Sequence, residues 1–371
     1  MRVCRAFEVI HTALAVLTAA KKVWLYNCFH YSAQMKKRIL FVCVAFVLLA
    51  GCNGGSGKGS KATVSSIDYA KVETPAFDAD SAYAFVAAQV ACGYRTPGSE
   101  GQRRCADYLA QQMRRWCDTV IVQDFPAVLW DGTEVRGKNI IATVNAREGA
   151  PEIGRVLLAA HWDSRMWADH DPDKANHHKP FDGANDGASG VGVLMEMARA
   201  ISSCPLSVAV DFVFFDVEDQ GTPDWAEDHV EDSWCKGSQY WSRNPHVPFY
   251  KAIYGVLLDM VGTQEPRYTK EQISRNYASG ILNKIWNVAE SIGYGKMFVN
   301  RDTDPILDDH YYVNRLTSIP MIDIVQNSPG CSFFKHWHTM GDNMEHVDRN
   351  SLKATGMVLL KTLYGDYGDS K

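Results

Sequence analysis

The chain has 371 residues, 46% hydrophobic and 22% charged, which is enough apolar side chain for a large packed core and unlike a collagen-like, coiled-coil or disordered chain. The first 51 residues carry seven Lys/Arg and one acid, leaving 31 Lys/Arg against 42 Asp/Glu, a formal net of about −11, for the remainder. A body that acidic repels a phosphate backbone, so no nucleic-acid partner is expected.

In chain order, Met35-Lys36-Lys37-Arg38 is a basic start, and residues 39–49 are an apolar run too short to span a bilayer stably; together they have the form of a secretory signal. The run ends Leu49-Ala50-Gly51-Cys52, which resembles the lipobox of bacterial lipoproteins. That resemblance implies cleavage before Cys52, acylation of its thiol, and a periplasmic protein held at a bacterial membrane by acyl chains. An earlier apolar run, 13–20, has no role in this scheme, and translation is expected to start at Met35. Residues 1–51 are thus read as N-terminal extension plus signal, 52–64 as a flexible tether rich in Gly and Ser, and 65–371 as one catalytic domain.

In that domain, short apolar runs of buried-strand length fall at 138–144, 155–160, 208–215, 254–258 and 320–325. Helical patterns at 100–116, 187–202, 271–292 and 351–364 alternate with them. The alternation predicts an α/β fold with a central, mixed, mostly parallel sheet flanked by helices on both faces. Six cysteines lie in the body (92, 105, 117, 204, 235, 331) without a CxxC, so a cysteine-built zinc site is not expected.

Chemistry gathers where the strands end. His161 and Asp163 follow the second run, Glu218 and Asp219 the third, Asp259 the fourth, and Asp186, Asp308, Asp309, His310 and His338 stand in the connections. Carboxylates beside a sheet core are heavily desolvated and need a cation, a proton or dense hydrogen bonding. A zinc ion held by an imidazole and carboxylates, with one open position, meets that need. Adjacent Glu218 and Asp219 point in different directions from an extended backbone, so one can bind metal while the other faces substrate. The histidines of 165–180 have no fixed helical spacing and read as loop surface.

The series Arg95-Thr-Pro-Gly-Ser99, His161-Trp-Asp163, Gly183-Ala-Asn-Asp186, Phe215-Asp-Val-Glu218-Asp219, Leu258-Asp259 and His338-Thr339 resembles the M28 metallopeptidase group. Within that group, Asp308-Asp309-His310 and Trp337-His338-Thr339-Met340 followed by Asp342-Asn343 resemble the signatures of animal-type glutaminyl cyclases. The resemblance implies one zinc on Asp186, Asp219 and His338, with Glu218 moving protons and Asp259 and Asp308, the first residue of its motif, hydrogen-bonding that relay. It also implies Trp337 as a pocket wall, and peptides or proteins with an N-terminal Gln as substrates, cyclised to pyroglutamate with release of ammonia; His161 is expected to contact substrate, Phe333 or Phe334 to share the wall, and Trp225, in the loop after Glu218-Asp219, reads equally as pocket rim or surface packing. Family members often have Glu-Glu where this chain has Glu218-Asp219. The alternative within the group is a two-zinc aminopeptidase, in which His161 and Asp259 join the ligands.

Overall fold

The computed structural model describes residues 67–150, 153–328 and 333–368; the signal, lipobox and tether, and Cys331, lie outside them. The helices are α1 (Ala79–Ala91), α2 (Glu100–Met113), α3 (Ala188–Ser203), α4 (Lys236–Arg243), α5 (Gln272–Ser291), α6 (Asp309–Leu316) and α7 (Arg349–Tyr367). The strands are β1 (Thr119–Val128), β2 (Glu134–Val144), β3 (Arg155–His161), β4 (Ala209–Phe215), β5 (Gly255–Asp259), β6 (Tyr268–Lys270), β7 (Phe298–Asp302) and β8 (Met321–Val325).

Six strands form one sheet in the order β1-β2-β4-β3-β5-β8, and β6 and β7 pair separately. β4, β3, β5 and β8 run parallel, while β1 and β2 are antiparallel additions at one edge. The parallel strands are buried on both faces, which is why they read as continuous apolar runs rather than alternating ones. Alternation survives in which face each residue packs on. Val156, Leu158 and Ala160 of β3 join the larger core with α1, α2, α3, α5 and α7, whereas Leu157 and Ala159 join Trp241 of α4 and Val313 of α6 opposite.

Helix starts follow local chemistry. Ser99 caps α2 by accepting from Gln102 N, and Asp348 caps α7 by accepting from Ser351 N. Gly190 lets α3 lie on the sheet, since a Cβ there would stand 2.3 Å from Leu258 O. Because β3, β4, β5 and β8 share one direction, their carboxyl ends open on one edge. His161 is the last residue of β3, Asp259 the last of β5, and Glu218 and Asp219 follow β4. Cys92, Cys105, Cys117, Cys204 and Cys235 are free thiols.

Candidate active site and metal centre

The parallel strands deliver acids and histidines to that edge, and the loops between them fix the directions of the side chains. Asp163 accepts from the backbone N–H groups of Glu218 and Asp219 and from Gln220 Nε2, at 3.1, 3.1 and 2.9 Å. The chain leaving β3 thereby orients the chain leaving β4. Asp342 does the same for the other loop, accepting from Asn185 N and Asp186 N at 2.8 and 3.0 Å. Arg95 is fully buried and donates to the carbonyls of Trp162, Asp182 and Gly183, tying its motif to both loops. Four non-glycine residues at or beside the site have left-handed backbone: Val217, Cys235, Met260 and His338, with φ of 57°, 58°, 48° and 54°. Such conformations are held only where the surroundings over-determine them.

Asp186, Asp219 and His338 converge. His338 Nε2 lies 3.0 Å from Asp219 Oδ1 and 3.7 Å from Asp186 Oδ2, and ligand atoms of all three lie within 4.8 Å of one another. All three residues are buried, and Asp186 Oδ2 and Asp219 Oδ2 have no hydrogen-bond partner. Two buried carboxylates, each with an unsatisfied oxygen, beside an imidazole nitrogen are a donor set that fits a divalent cation. Behind it, His338 Nδ1 lies 3.4 Å from Asp169 Oδ1, and Arg165 pairs with the same carboxylate through Nε and Nη2 at 2.9 and 2.7 Å. Burial opposes ionisation of Asp169, but His338 and Arg165 outweigh it and hold the carboxyl well below its usual range. Burial beside Asp186 pushes Asp219 up to about 6, against the pull of His338 and Arg165.

A small cavity of about 140 Å³ opens over this group. Its acidic floor also contains Glu218, Asp259 and Asp308, and its walls include Trp234, Phe333 and Trp337 with Met260, Ile306 and Leu307. Burial raises Glu218 well above the usual carboxyl range; His161 pulls it down, and the charges of Asp308, Asp219 and Asp309 push it further up. Burial likewise lifts Asp259 to about 7, against its hydrogen bond with His161.

The structure therefore brings Asp186, Asp219, His338, Glu218, Asp259, Asp308, Trp337 and Phe333 to one cavity. Two candidate substrate contacts stand elsewhere. His161 is only 2% exposed and sits behind the carboxylates, its Nε2 3.0 Å from Asp186 Oδ1 and 3.2 Å from Asp259 Oδ1, so it holds acids rather than lining the pocket. Trp225 is 37% exposed and packs edge-on against Trp167 and His178, outside the cavity wall. Its place is taken by Trp234, whose ring stacks at 6.0 Å on His338 and covers Arg165. Trp234 lies in an irregular stretch with no motif or period to single it out. Of the loop histidines, His170 lies against Trp337, with ring centroids 4.4 Å apart, and pairs with Asp224. Behind Asp308 lies a further buried group: His310 Nε2 is 3.2 Å from Glu271 Oε1, and its Nδ1 is 3.9 Å from Asp323 Oδ2.

This arrangement, acids at the carboxyl ends of a parallel sheet around a buried trio that could hold a metal ion, is that of a metallohydrolase-type enzyme. Residues 139–363 match peptidase family M28, and the chain belongs to that family. It is 45% identical to Bacteroides thetaiotaomicron glutaminyl cyclase bound to N-acetylhistamine, with a TM-score of 0.76 over 79% of this chain and 99% of that one. A Zn-dependent exopeptidase from Parabacteroides distasonis is similar to the same degree, at 46% identity and TM-score 0.76 over 79% and 99%. Among curated proteins, glutaminyl-peptide cyclotransferase of Bos taurus is 25% identical over 71% of this chain and 76% of its own length. Aminopeptidase YwaD of Bacillus subtilis is 26% identical over 56% of this chain, which spans only 40% of that protein.

Proposed function

We propose that the protein is a glutaminyl-peptide cyclotransferase that converts the N-terminal Gln of peptides or proteins to pyroglutamate and releases ammonia, using one zinc held by Asp186, Asp219 and His338. The observation that carries this reading is that Asp308, which like Glu218 belongs to neither the Asp186-Asp219-His338 nor the His161-Asp186-Asp259 trio, lines the same cavity as Glu218 and Asp259. An aminopeptidase needs a single base beside its metals. A cyclase must move a proton from an amine to a leaving amide nitrogen inside one small pocket, and a set of buried acids serves that task.

Asp186, Asp219 and His338 would hold the zinc, which when bound would supply Lewis-acid polarisation of the substrate's γ-carbonyl. The substrate brings its own nucleophile, and ring closure is intramolecular, so the protein's work is orientation and proton transfer. The bond from the α-amine nitrogen to the side-chain amide carbon forms as the bond to the amide nitrogen breaks. Glu218 accepts the proton lost by the amine and delivers it to the departing nitrogen, which leaves as ammonia. Its raised pKa suits a group that must both take and give a proton. Asp259 and Asp308 hydrogen-bond this relay, and His161 fixes Asp259. Trp337, Trp234 and Phe333 enclose the aliphatic stem of the glutamine with flat, apolar faces.

The second reading, a two-zinc aminopeptidase, has one observation in its favour: His161, Asp186 and Asp259 form a second buried trio that shares Asp186 with the first. Ammonia release from an N-terminal Gln peptide, followed with an enzyme-coupled assay beside release of free amino acid, tests the choice. Ammonia with no amino acid is expected; amino acid with no ammonia establishes the alternative.

The lipobox supports export and a lipid anchor at Cys52. Among the described residues no helix is long and apolar enough to cross a membrane; acyl chains on Cys52 are the proposed attachment. A Cys52→Ser variant is expected to leave the membrane fraction of expressing bacteria, and one that stays there refutes the anchor.

A further inference from the structure

The proton carrier Glu218 has a neighbour that no motif indicates. Cys235 is fully buried, and its Sγ donates to Glu218 Oε1 at 3.2 Å. The grip is not confined to the side chain. Cys235 N donates to Glu218 O at 2.8 Å, and Lys236 N to Val217 O at 2.9 Å, so the segment before α4 is clamped on the segment after β4. Both halves of the clamp, Val217 and Cys235, have left-handed backbone, at φ of 57° and 58°. An L residue takes that conformation at a cost, and here it aims the thiol at the carboxylate rather than into the core.

Resting on the cyclase reading above, we propose that Cys235 is a positioning residue for that reaction: its thiol holds Glu218 Oε1 and so keeps the carboxylate in one orientation at the cavity. Three features fit this role. First, Glu218 Oε2 is the oxygen on the side of His161, 3.8 Å from its Nδ1, so the two carboxylate oxygens have separate environments. A carboxylate with only one tethered oxygen keeps the other for proton transfer. Second, a thiol is a weak donor. An ammonium or guanidinium at the same place would set a full positive charge beside Glu218, whereas a neutral donor fixes its direction without one. Third, burial and the charges of Glu218, Asp309 and Asp308 keep the thiol protonated, so it remains a donor and is no rival nucleophile.

The test compares Cys235→Ala with Cys235→Ser in the full-length, zinc-loaded protein on an N-terminal Gln peptide. The Ala variant is expected to lose about tenfold in kcat with KM within about twofold and zinc content unchanged; the Ser variant, which keeps a donor, is expected to recover most of that loss. A folded Ala variant with wild-type kcat, or a Ser variant as slow as Ala, overturns the proposal. Wild-type protein that releases no ammonia would instead overturn the cyclase reading, so the two failures are distinct. Should the Ala variant not fold, the S–H stretching band decides. Identified as the band lost in the infrared spectrum of Cys235→Ser, it is expected to shift on Glu218→Gln, and an unmoved band shows that the thiol does not bond the carboxylate.

Discussion

At the scale of single residues, Glu218 is the proposed proton carrier and Asp169 the support of a proposed ligand, His338. Replacing Glu218 with Gln keeps the shape and removes the proton acceptor. Turnover of an N-terminal Gln peptide is expected to fall by about 10²–10⁴-fold with zinc still bound, and a Glu218→Gln enzyme with wild-type kcat would remove the assigned role. Asp169 touches His338 at the nitrogen facing away from Asp186 and Asp219, and Arg165 locks it there. Such outer partners fix imidazole orientation and basicity. An Asp169→Asn variant is expected to bind zinc about 10–100-fold more weakly in chelator competition, while unchanged affinity would show that His338 is oriented by packing alone.

At the scale of elements, the junction between the loop after β3 and the start of α3 is a close approach under the site. Gly187, just before α3, has φ of 94°, and a Cβ there would lie 2.4 Å from Asp163 O and 3.1 Å from His161 Cε1. Gly187→Ala is expected to destabilise the fold by about 2–4 kcal/mol, from the left-handed backbone and the clash together; a thermal midpoint within a degree or so of wild type would contradict the close approach. This scale also shows what the sequence made legible. β3, β4, β5 and β8 were readable because strands buried on both faces are unbroken apolar runs, and with them came the acids at their ends. β1 was not, since it is an edge strand, largely exposed, with Pro126 within it. α4 and α6 were missed for another reason: each is eight residues long, and α4 begins on left-handed Cys235, with no side-chain cap to mark its start. The same irregular segment carries Trp234, so the residue that walls the cavity in place of Trp225 had no periodicity to reveal it. His161 was recognisable as a site residue, but its depth behind Asp186 and Asp259 depends on how β3 and β5 register, which spacing does not encode.

At the scale of the whole molecule, the proposed zinc would be linked to folding. An ion bound by the folded state alone stabilises it by about 2.7 kcal/mol at a free concentration a hundredfold above Kd. For a domain of this size that is a rise of roughly 5–10 °C in thermal midpoint between chelator-treated and zinc-loaded protein, read by calorimetry. An identical midpoint in both states would show that the Asp186, Asp219 and His338 group binds no ion tightly. The most direct test of the central claim is elemental analysis of purified protein joined to product analysis on an N-terminal Gln peptide. One zinc per chain with stoichiometric ammonia and pyroglutamyl peptide is the predicted result. Two tightly bound zincs with release of the N-terminal residue and no ammonia would contradict it.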